Sequence, residues 1–234
     1  AWAKKAKEGR ASDIKPCINC LIGCIDRGML SHTPIHCTVN PSLYRFECKP
    51  VEKAETRKQV AVVGAGPTGC EAALTASKRG HQVTIYEKRC IGGAMIEASK
   101  PENKANIKRL IHYYEDHIMH DPNITLVKEE VEYETLVHRG YDAVIIAVGG
   151  KTRILNVPGI EKNSVIYASD YLNGSTAVTG NTVVVIGGGI TGAETALELN
   201  AEGKKVTIVE MTDAFLANLV PLVRHILQRS MKQT

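Results

Sequence analysis

The sequence lacks the features that would place it in a membrane, outside the cell or on nucleic acid. Its longest apolar stretches, Tyr141–Val148 and Val183–Ile190, fall far short of the ~18 residues that a bilayer-spanning helix needs. The basic stretch Ala1–Arg10 is followed by no apolar block of the kind a secretory signal carries. A net charge of +4 is too thinly spread to favour nucleic acid. With ordinary globular composition, we expect a cytoplasmic protein that binds neither membranes nor nucleic acid.

Cysteine is concentrated in one short window. Four of the seven cysteines are Cys17, Cys20, Cys24 and Cys37, a cluster that favours metal binding over disulfides where no secretory signal is found. Four thiolates suit a 4Fe-4S cluster and also tetrahedral zinc. The single C-x2-C pair and the uneven spacing favour iron–sulfur, because zinc ribbons usually carry two such pairs. Unligated thiols remain a third alternative, and Cys48 competes with Cys37 as the fourth ligand.

One segment of the sequence occurs twice, with a shift of 123 residues between the copies. Val60–Gly69 aligns with Val183–Gly192, and further along Glu87 aligns with Glu210. Each copy has an apolar run, a Gly-x-Gly-x-x-Gly turn, a helical pattern and a second apolar run that ends in glutamate. In a dinucleotide-binding β-α-β unit the glycines shape the turn, the helix N-terminus holds the pyrophosphate, and the acid binds the ribose. The two copies therefore predict two bound dinucleotides.

The predicted nucleotide-binding residues lie where strands end and helices begin. In the first copy they are Gly64, Gly66, Pro67, Gly69, Glu87 and Lys88. In the second copy they are Gly187, Gly189, Ile190, Gly192 and Glu210. No residue of this sequence is assigned a catalytic role.

The rest of the sequence alternates between helical and strand patterns. Apolar residues at helical spacing predict helices over Asn103–His120 and Ala214–Met231, and β-rich runs predict strands at Ile124–Val127 and Tyr141–Val148. This alternation predicts an α/β fold with parallel sheets covered on both faces.

The run Tyr141–Gly150 resembles the second FAD-contact motif of flavoprotein reductases with two dinucleotide domains. Ala147 and Gly149 occupy the motif positions. The resemblance assigns FAD to the first copy and a pyridine nucleotide to the second. Glu210 would repel a 2′-phosphate, and no arginine follows it within Met211–Ala214, so NADH is favoured over NADPH.

The cysteine spacing, the following Asn40-Pro41 and the two glycine-rich units together resemble the multidomain Old Yellow Enzyme-like NADH:flavin oxidoreductase family. Its members include 2,4-dienoyl-CoA reductase, 2-enoate reductase and trimethylamine dehydrogenase. The resemblance implies four segments: the tail of an FMN-binding TIM barrel at 1–16, a 4Fe-4S loop at 17–50, the first part of an FAD domain at 51–156, and the first half of an NAD(P) domain at 157–234. Both Rossmann-like units would then be incomplete, and the chain would be a C-terminal fragment that lacks the barrel.

The resemblance also implies a function. The chain would be an electron-input module that passes electrons from NADH through FAD and the 4Fe-4S cluster to FMN in the barrel, where an activated C=C bond is reduced. Its partners would be NAD(H) and the barrel of the same parent chain, and we expect a homo-oligomeric parent. Alone, the fragment would not reduce substrate. Two alternatives stay open: an amine dehydrogenase of the trimethylamine type, and a non-catalytic nucleotide-binding or zinc-stabilised docking module.

Overall fold

The computed structural model describes residues 2–41, 43, 50–217 and 219–233. These residues divide into two compact units. The first unit draws on Ala1–Ile18, Phe46–Ser99 and Lys104–Lys151, and the second on Asn19–Arg45, Lys100–Asn103 and Thr152–Thr234. Each unit contains one copy of the repeated segment. In the ranges described, no helix combines the length and the apolar character that crossing a membrane would require.

Six strands are present among the described residues. In chain order they are β1 (Gln59–Val63), β2 (Gln82–Tyr86), β3 (Ile124–Val127), β4 (Ala143–Ile146), β5 (Thr182–Ile186) and β6 (Lys205–Val209). The α-helices in the same ranges are α1 (Trp2–Lys7), α2 (Pro67–Lys78), α3 (Met95–Ala98), α4 (Ala105–Met119), α5 (Tyr133–His138), α6 (Ala168–Leu172), α7 (Ile190–Ala201) and α8 (Pro221–Gln233). A π-helix spans Ile22–Leu30 and a 3₁₀ turn spans Glu102–Lys104.

The first unit is built on a four-stranded parallel sheet with the order β3-β2-β1-β4. The central strand β1 is buried at Val60, Ala61 and Val62. Helix α2 contacts all four strands from one side, and Leu136 of α5 packs against Ala61. The predicted covering of both faces therefore holds for β1.

Helix α4 follows the predicted apolar stripe. Leu110, Ile111, Tyr114 and Ile118 are all buried, which is what residues three and four positions apart on one helix face require. The helix begins at Ala105 rather than at the predicted position 103, since residues 102–104 form the 3₁₀ turn. Strand β3 has the predicted bounds.

Strand β4 is shorter and more exposed than its apolar sequence predicts. Its ladder spans only Ala143–Ile146, although single backbone bonds extend the pairing with β1 at Asp142 and Ala147. Ile146 is 64% exposed. The prediction of a strand covered on both faces is therefore wrong for β4, because three of its four residues are exposed. Among the described residues β4 is also the edge strand of its sheet.

The second unit contains the parallel pair β5 and β6, with α7 as the crossover helix. Leu199 of α7 packs with Tyr171 and Leu172 of α6 against strand residues that include Val183, Val185 and Val206. The alternate strand residues Val184, Ile186 and Val209 are each more than half exposed. Here too the two-sided covering was a wrong prediction, because the described helices pack on one face of this sheet.

Helix α8 begins later than predicted. The prediction started it at Ala214, but the helix begins at Pro221. Leu216 adopts a left-handed φ of +58° and its N–H donates to the carbonyl of Gly188 at 3.0 Å, so this stretch is a loop. Proline suits the first helical turn and disfavours helix in the residue before it, which explains the start of the helix at Pro221.

Candidate functional site

The first glycine-rich turn joins β1 to α2 and requires glycine at both of its ends. Gly64 has a φ of +99°, a conformation that residues with a Cβ rarely adopt. A Cβ at Gly64 would also overlap the carbonyl oxygen of Ala147, and one at Gly69 would overlap the carbonyl oxygen of Gly64. These two glycines let the turn close tightly against the start of α2.

The middle glycine of this turn has room for a Cβ without overlap. A Cβ at Gly66 would come no closer than 3.9 Å to another atom, the Cα of Gly93. Pro67, the next residue, is the first of α2. The opening at Gly66 thus lies at a helix N-terminus, where unpaired N–H groups and the helix dipole favour a phosphate. A side chain at this position would occupy the space that a pyrophosphate needs.

Glu87 holds the turn from the end of β2. Its Oε2 accepts a hydrogen bond from the N–H of Ala65 at 2.7 Å, and its Oε1 accepts one from the N–H of Arg89 at 2.7 Å. The carboxylate therefore lies beside the turn, where a ribose-binding acid is expected. Lys88 instead pairs with Glu130 at 2.7 Å, and both side chains are more than half exposed. The assignment of Lys88 to the cofactor remains a prediction.

Ala147 closes the turn from the side of β4. Its N–H donates to the carbonyl of Val63 at 2.8 Å, and its own carbonyl lies against Gly64. Gly149 has a φ of +70° and open space where a Cβ would stand. The structure therefore brings Ala147 to the turn, while Gly149 lies two residues beyond it in the chain.

A glycine pair that sequence reasoning missed forms a further wall of this site. The N–H of Gly92 donates to the carbonyl of Ala65 at 2.9 Å, and a Cβ at Gly93 would lie 2.8 Å from the Cα of Gly66. Both glycines have a positive φ, so the loop needs them for its conformation as well as for its closeness to the turn. The available signal was the Gly-Gly pair itself, which follows the predicted ribose-binding acid by five residues.

Cys70 lies directly behind the first turn and is fully buried. Its thiol donates to the carbonyl of Ala65 at 3.2 Å. Burial, followed by the nearby charge of Glu71, raises the pKa of this thiol to about 12. The side chain thus stays protonated at neutral pH and packs as a small hydrophobe.

The second turn, between β5 and α7, repeats the backbone arrangement of the first. Gly187 has a φ of +109°, and its N–H donates to the carbonyl of Val209 at 2.8 Å. A Cβ at Gly192 would overlap the carbonyl oxygen of Gly187. Gly189 has no atom within 4 Å of the place a Cβ would take, and Ile190 is the first residue of α7. The second site thus also has an opening at a helix N-terminus.

Glu210 occupies the position in the second unit that Glu87 has in the first. Its Oε2 accepts a bond from the N–H of Gly188 at 2.6 Å, and its Oε1 accepts bonds from the N–H and the hydroxyl of Thr212 at 2.9 and 3.0 Å. These donors, the N–H of Gly188 foremost, lower the pKa of Glu210 below its usual 4.5. The carboxylate is therefore ionised at neutral pH.

Gly188 and Thr212 are site residues that sequence reasoning missed. A Cβ at Gly188 would lie 2.6 Å from the ring of Phe215, so this glycine lets the loop after β6 approach the turn. Thr212 holds the carboxylate of Glu210. Neither role follows from the glycine motif. The role of Gly188 depends on its contact with Phe215, more than 20 residues away, and Thr212 lies in a loop without periodicity.

Arg224 of α8 is engaged by the loop that precedes its helix. Its guanidinium donates to the carbonyl oxygens of Leu216 at 3.0 Å and Ala217 at 2.5 Å. Arg224 thus stabilises this loop through its carbonyl oxygens. The charged side chain bonded to the turn itself is Glu210.

Three of the predicted metal ligands lie in the second unit: Cys20, Cys24 and Cys37. The N–H of His36 donates to the carbonyl of Gly23 at 2.8 Å, and a Cβ at Gly23 would lie 2.5 Å from the oxygen of His36. The Sγ of Cys20 lies 3.2 Å from the hydroxyl of Thr38. These contacts pair the segment that carries Cys37 with the start of the π-helix Ile22–Leu30.

The cysteine segment contains unusual backbone conformations. Asn19, Leu21 and His32 have φ values of +54°, +58° and +49°. Such conformations cost about 1 kcal/mol or more for residues with a Cβ and concentrate at functional sites. Sequence periodicity predicted neither these conformations nor the π-helix.

The thiols have the donor chemistry for a metal cluster, but they do not form a ligand group. Across residues 2–41, 43, 50–217 and 219–233, no three or more His, Cys, Asp or Glu side chains are arranged to hold a metal ion. Cys17 is exposed and lies in the first unit. Cys48, the competing fourth ligand, lies outside the described residues. The metal assignment therefore rests on the donor set and remains a prediction.

The comparison with protein families finds one match that covers most of the chain. The family model "Pyridine nucleotide-disulphide oxidoreductase" matches residues 46–100 and 58–234. The longer match includes both glycine-rich turns and both glutamates.

Individual relatives resemble the chain along nearly its whole length. The chain is 40% identical to an NADH oxidase of Thermoanaerobacter brockii over 95% of its residues, and 35% identical to a cinnamate reductase of Clostridium sporogenes over 91%. It covers only 35% and 31% of those two proteins. The solved structure of a 2-naphthoyl-CoA reductase in complex with 2-naphthoyl-CoA superposes with a TM-score of 0.92 and 32% identity, over 98% of this chain and 35% of that one. The chain thus spans about a third of the length of these relatives.

Proposed function

The chain belongs to the pyridine nucleotide-disulphide oxidoreductase family, and we propose that it is the electron-input module of a larger NADH-dependent flavin reductase. Its first turn would bind FAD and its second turn NADH. The observation that carries this proposal is the repeated arrangement of the two turns. In each, a glutamate accepts a bond from the second residue of the turn, at 2.7 Å in one unit and 2.6 Å in the other, beside a glycine at which a Cβ would overlap no atom.

The two sites would receive different dinucleotides. Ala147 closes the first turn from β4, which agrees with the FAD-contact motif in which this residue lies. At the second turn the ionised Glu210 would accept hydrogen bonds from a ribose and repel a 2′-phosphate. This charge favours NADH over NADPH. When bound, a flavin accepts a hydride from a nicotinamide and can release the electrons one at a time.

The residues of this chain would bind and orient rather than react. Gly66 and Gly189 leave room for pyrophosphates at the helix N-termini, and the two glutamates fix the riboses. We propose that reduction of an activated C=C bond, in an enoate, enoyl-CoA or enone, takes place in an FMN-binding barrel of the parent chain. The names of the cinnamate reductase and of the 2-naphthoyl-CoA reductase support this reaction class, as does the share of those proteins that the chain covers.

We also propose that the cysteine segment binds a 4Fe-4S cluster through Cys17, Cys20, Cys24 and Cys37. Such a cluster would supply one-electron transfer between the flavin site and the barrel. The support is the donor set and the pairing of the two segments that carry three of these cysteines.

Two other functions would give different observations. An amine dehydrogenase with a vestigial second site needs no working NADH turn, yet the second turn retains the arrangement of the first. A zinc-stabilised docking module would contain one zinc and no flavin.

Anaerobic purification of the full-length protein tests the proposal. We expect bound FAD, about four iron and four sulfide per chain, and bleaching of the flavin absorbance by NADH at a higher rate than by NADPH. Cys20→Ser should remove the iron and leave NADH oxidation by artificial acceptors intact. Colourless protein with one zinc would support the docking alternative. Flavin that amines reduce and NADH does not would support the amine dehydrogenase.

A further inference from the structure

A charged contact joins the segment before the first predicted cluster ligand to the helix that starts at the first turn. The Nζ of Lys15 forms an ion pair with the Oε1 of Glu71, and the hydroxyl of Tyr114 donates to the same oxygen at 2.7 Å. Glu71 follows Gly69 by two residues on α2, and Lys15 precedes Cys17 by two. All of these residues belong to the first unit.

The surroundings of Lys15 set this contact apart from an ordinary surface ion pair. Its side chain is 20% exposed, and that of Glu71 is 42% exposed. The ammonium also lies 5.3 Å and 5.4 Å from the ring centroids of Tyr113 and Tyr114, within the range of cation–π attraction. An exposed pair between flexible side chains contributes little, but here one carboxylate oxygen and two rings converge on one ammonium.

A second set of contacts joins the same segment to α4, the helix that carries Tyr113 and Tyr114. His117 stacks on Tyr113, with ring centroids 4.0 Å apart, and its Nε2 lies 3.9 Å from a carboxylate oxygen of Asp13. The carbonyl of Asp13 also accepts a bond from Lys5 at 2.6 Å. The segment 13–15 is therefore held by side chains at both of its ends, and Pro16 restricts the backbone between Lys15 and Cys17.

Burial and the hydrogen bond to Glu71 raise the pKa of Tyr114. The phenol thus remains a hydrogen-bond donor to Glu71 throughout the physiological pH range. One oxygen of the Glu71 carboxylate is shared between one cation and one neutral donor, which fixes the orientation of the side chain.

We propose that Lys15, Glu71 and Tyr114 form a positioning clamp that sets the place of Cys17 relative to the flavin turn. The purpose of the clamp rests on the proposed function. The rate of electron transfer depends steeply on the distance between the two redox centres, and the clamp ties one proposed cluster ligand, Cys17, to the helix that would hold the FAD pyrophosphate. All three residues would act through Cys17 and α2, so they are positioning residues and not catalytic ones.

The chain provides closely matched controls. Glu194 stands at the position of Glu71 in the second repeat, so Glu194→Gln removes the equivalent charge from the other unit. Lys4 lies in the same N-terminal region, is 73% exposed and pairs across one helical turn with Glu8, at 3.8 Å. Lys4→Met therefore removes an exposed lysine from this region and leaves the pair of Lys15 with Glu71 in place.

The first arm of the test needs no cofactor. The amides of Asp13 and Ile14 donate to Arg10 and Ala11, and hydrogen exchange measures how often these bonds open. We expect Lys15→Met and Glu71→Gln to speed exchange at both amides by about tenfold, while Lys15→Arg stays within about threefold of the original because it keeps the charge. Lys4→Met and Glu194→Gln should leave it unchanged. Unchanged exchange in Lys15→Met, or no difference between the Met and Arg variants, would overturn the clamp.

The second arm uses the full-length protein with its cofactors and follows NADH-driven reduction in stopped flow. For Lys15→Met we expect bound FAD and its bleaching by NADH to match the original, while the following reoxidation of the flavin by the cluster slows about tenfold. Rescue by Lys15→Arg is expected, which a loss of folding would not show. Equal reoxidation rates with faster exchange would overturn the positioning role. Protein without flavin or iron would defeat the proposed function instead, and the exchange arm would still decide whether the clamp exists.

Discussion

The two glycine-rich turns have nearly the same sequence and backbone, yet they are closed by different parts of the chain. The first lies between neighbouring strands of a four-stranded sheet, and Ala147, directly after β4, leaves no room for a side chain at Gly64. The second lies on a two-stranded sheet, and Gly187 has open space where a Cβ would stand. A shared motif thus fixes the turn itself, while the surrounding chain decides how firmly each site is formed.

The loops after the second strand differ as well. In the first unit the glycine pair Gly92-Gly93 packs on the turn through its backbone. In the second unit a side chain, Phe215, approaches Gly188, and Thr212 holds the glutamate. Both loops donate one backbone N–H to the second residue of their turn, from Gly92 to Ala65 and from Leu216 to Gly188, and the second turn has the ring of Phe215 as a further wall. We expect substitutions to separate the two sites accordingly.

The largest expected effect comes from filling the open space in each turn. Gly66→Val should abolish FAD binding, and Gly189→Val should weaken NADH binding by about 100-fold or more, because the new side chain occupies the pyrophosphate position at the helix N-terminus. A Cβ overlaps no atom at either position, so the free energy of unfolding should fall less than it would for Gly69→Val, whose Cβ would overlap the carbonyl oxygen of Gly64. Flavin content and NADH titration check the binding, and urea denaturation checks the folding. Equal loss of both nucleotides in either variant would contradict the separation of the two sites.

The next largest effect is expected from alanine at the first glycine of each turn, because Ala147 lies against only one of these two glycines. Gly64→Ala and Gly187→Ala both place a Cβ at a positive φ, which costs about 1 kcal/mol. Only at Gly64 does the new atom also overlap a carbonyl, that of Ala147, and relief of such an overlap adds about 1–3 kcal/mol. Urea unfolding of the two variants should therefore show the greater loss for Gly64→Ala. Equal losses of unfolding free energy in the two variants would mean that the chain at Ala147 moves away from the new Cβ without an energetic cost.

A smaller effect concerns the choice of nucleotide and its pH dependence. Thr212→Val removes the hydroxyl bond to Glu210 and should reduce the preference for NADH over NADPH by about threefold, with Glu210→Gln reducing it by about tenfold. Steady-state rates with the two nucleotides measure this. An unchanged preference for NADH over NADPH in Glu210→Gln would show that this glutamate does not determine the choice of nucleotide.

The lowered pKa of Glu210 also fixes the sign of its effect on stability. A carboxyl whose pKa is lower in the folded protein stabilises the fold above its usual pKa, here 4.5, and loses that contribution as the pH falls through the folded value. The original protein should therefore lose stability below about pH 4.5 more steeply than Glu210→Gln does. Unfolding curves measured from pH 6 downward check this.

The smallest effect is expected at Cys70. Ala193 holds the equivalent place in the second repeat and is also fully buried. Cys70→Ala should therefore cost no more than about 1 kcal/mol and leave flavin reduction by NADH unchanged. A large loss of activity in this variant would give the thiol a redox role that its raised pKa argues against.

Much of the fold and of the two turns could be predicted from the sequence, because those features depend on local pattern. The repeat located both turns, and the apolar stripe located α4 with an error of two residues at its start. The glutamates were predicted from their distance to the glycines, and the structure holds both against the turns.

What the sequence could not reveal depends on contacts between distant segments or on loops without a period. The ion pair of Lys15 with Glu71 joins residues 56 positions apart. The apolar pattern from Ala214 onward predicted a helix there, but Leu216 has a left-handed backbone and α8 begins only at Pro221. The exposed face of β5 and β6 was missed for the same reason: an apolar run shows that a strand can be buried, but not whether the described chain provides a layer to cover it.

The central claim is that electrons enter at the second turn and pass to a flavin held at the first. The most direct measurement is anaerobic addition of NADH to full-length protein carrying Gly189→Val, with the flavin absorbance as the readout and the original protein as the control. We expect the variant to keep its FAD, and NADH no longer to bleach that FAD at concentrations that fully bleach the original. Full bleaching of the variant at the same NADH concentration would mean that electrons do not enter at the second turn.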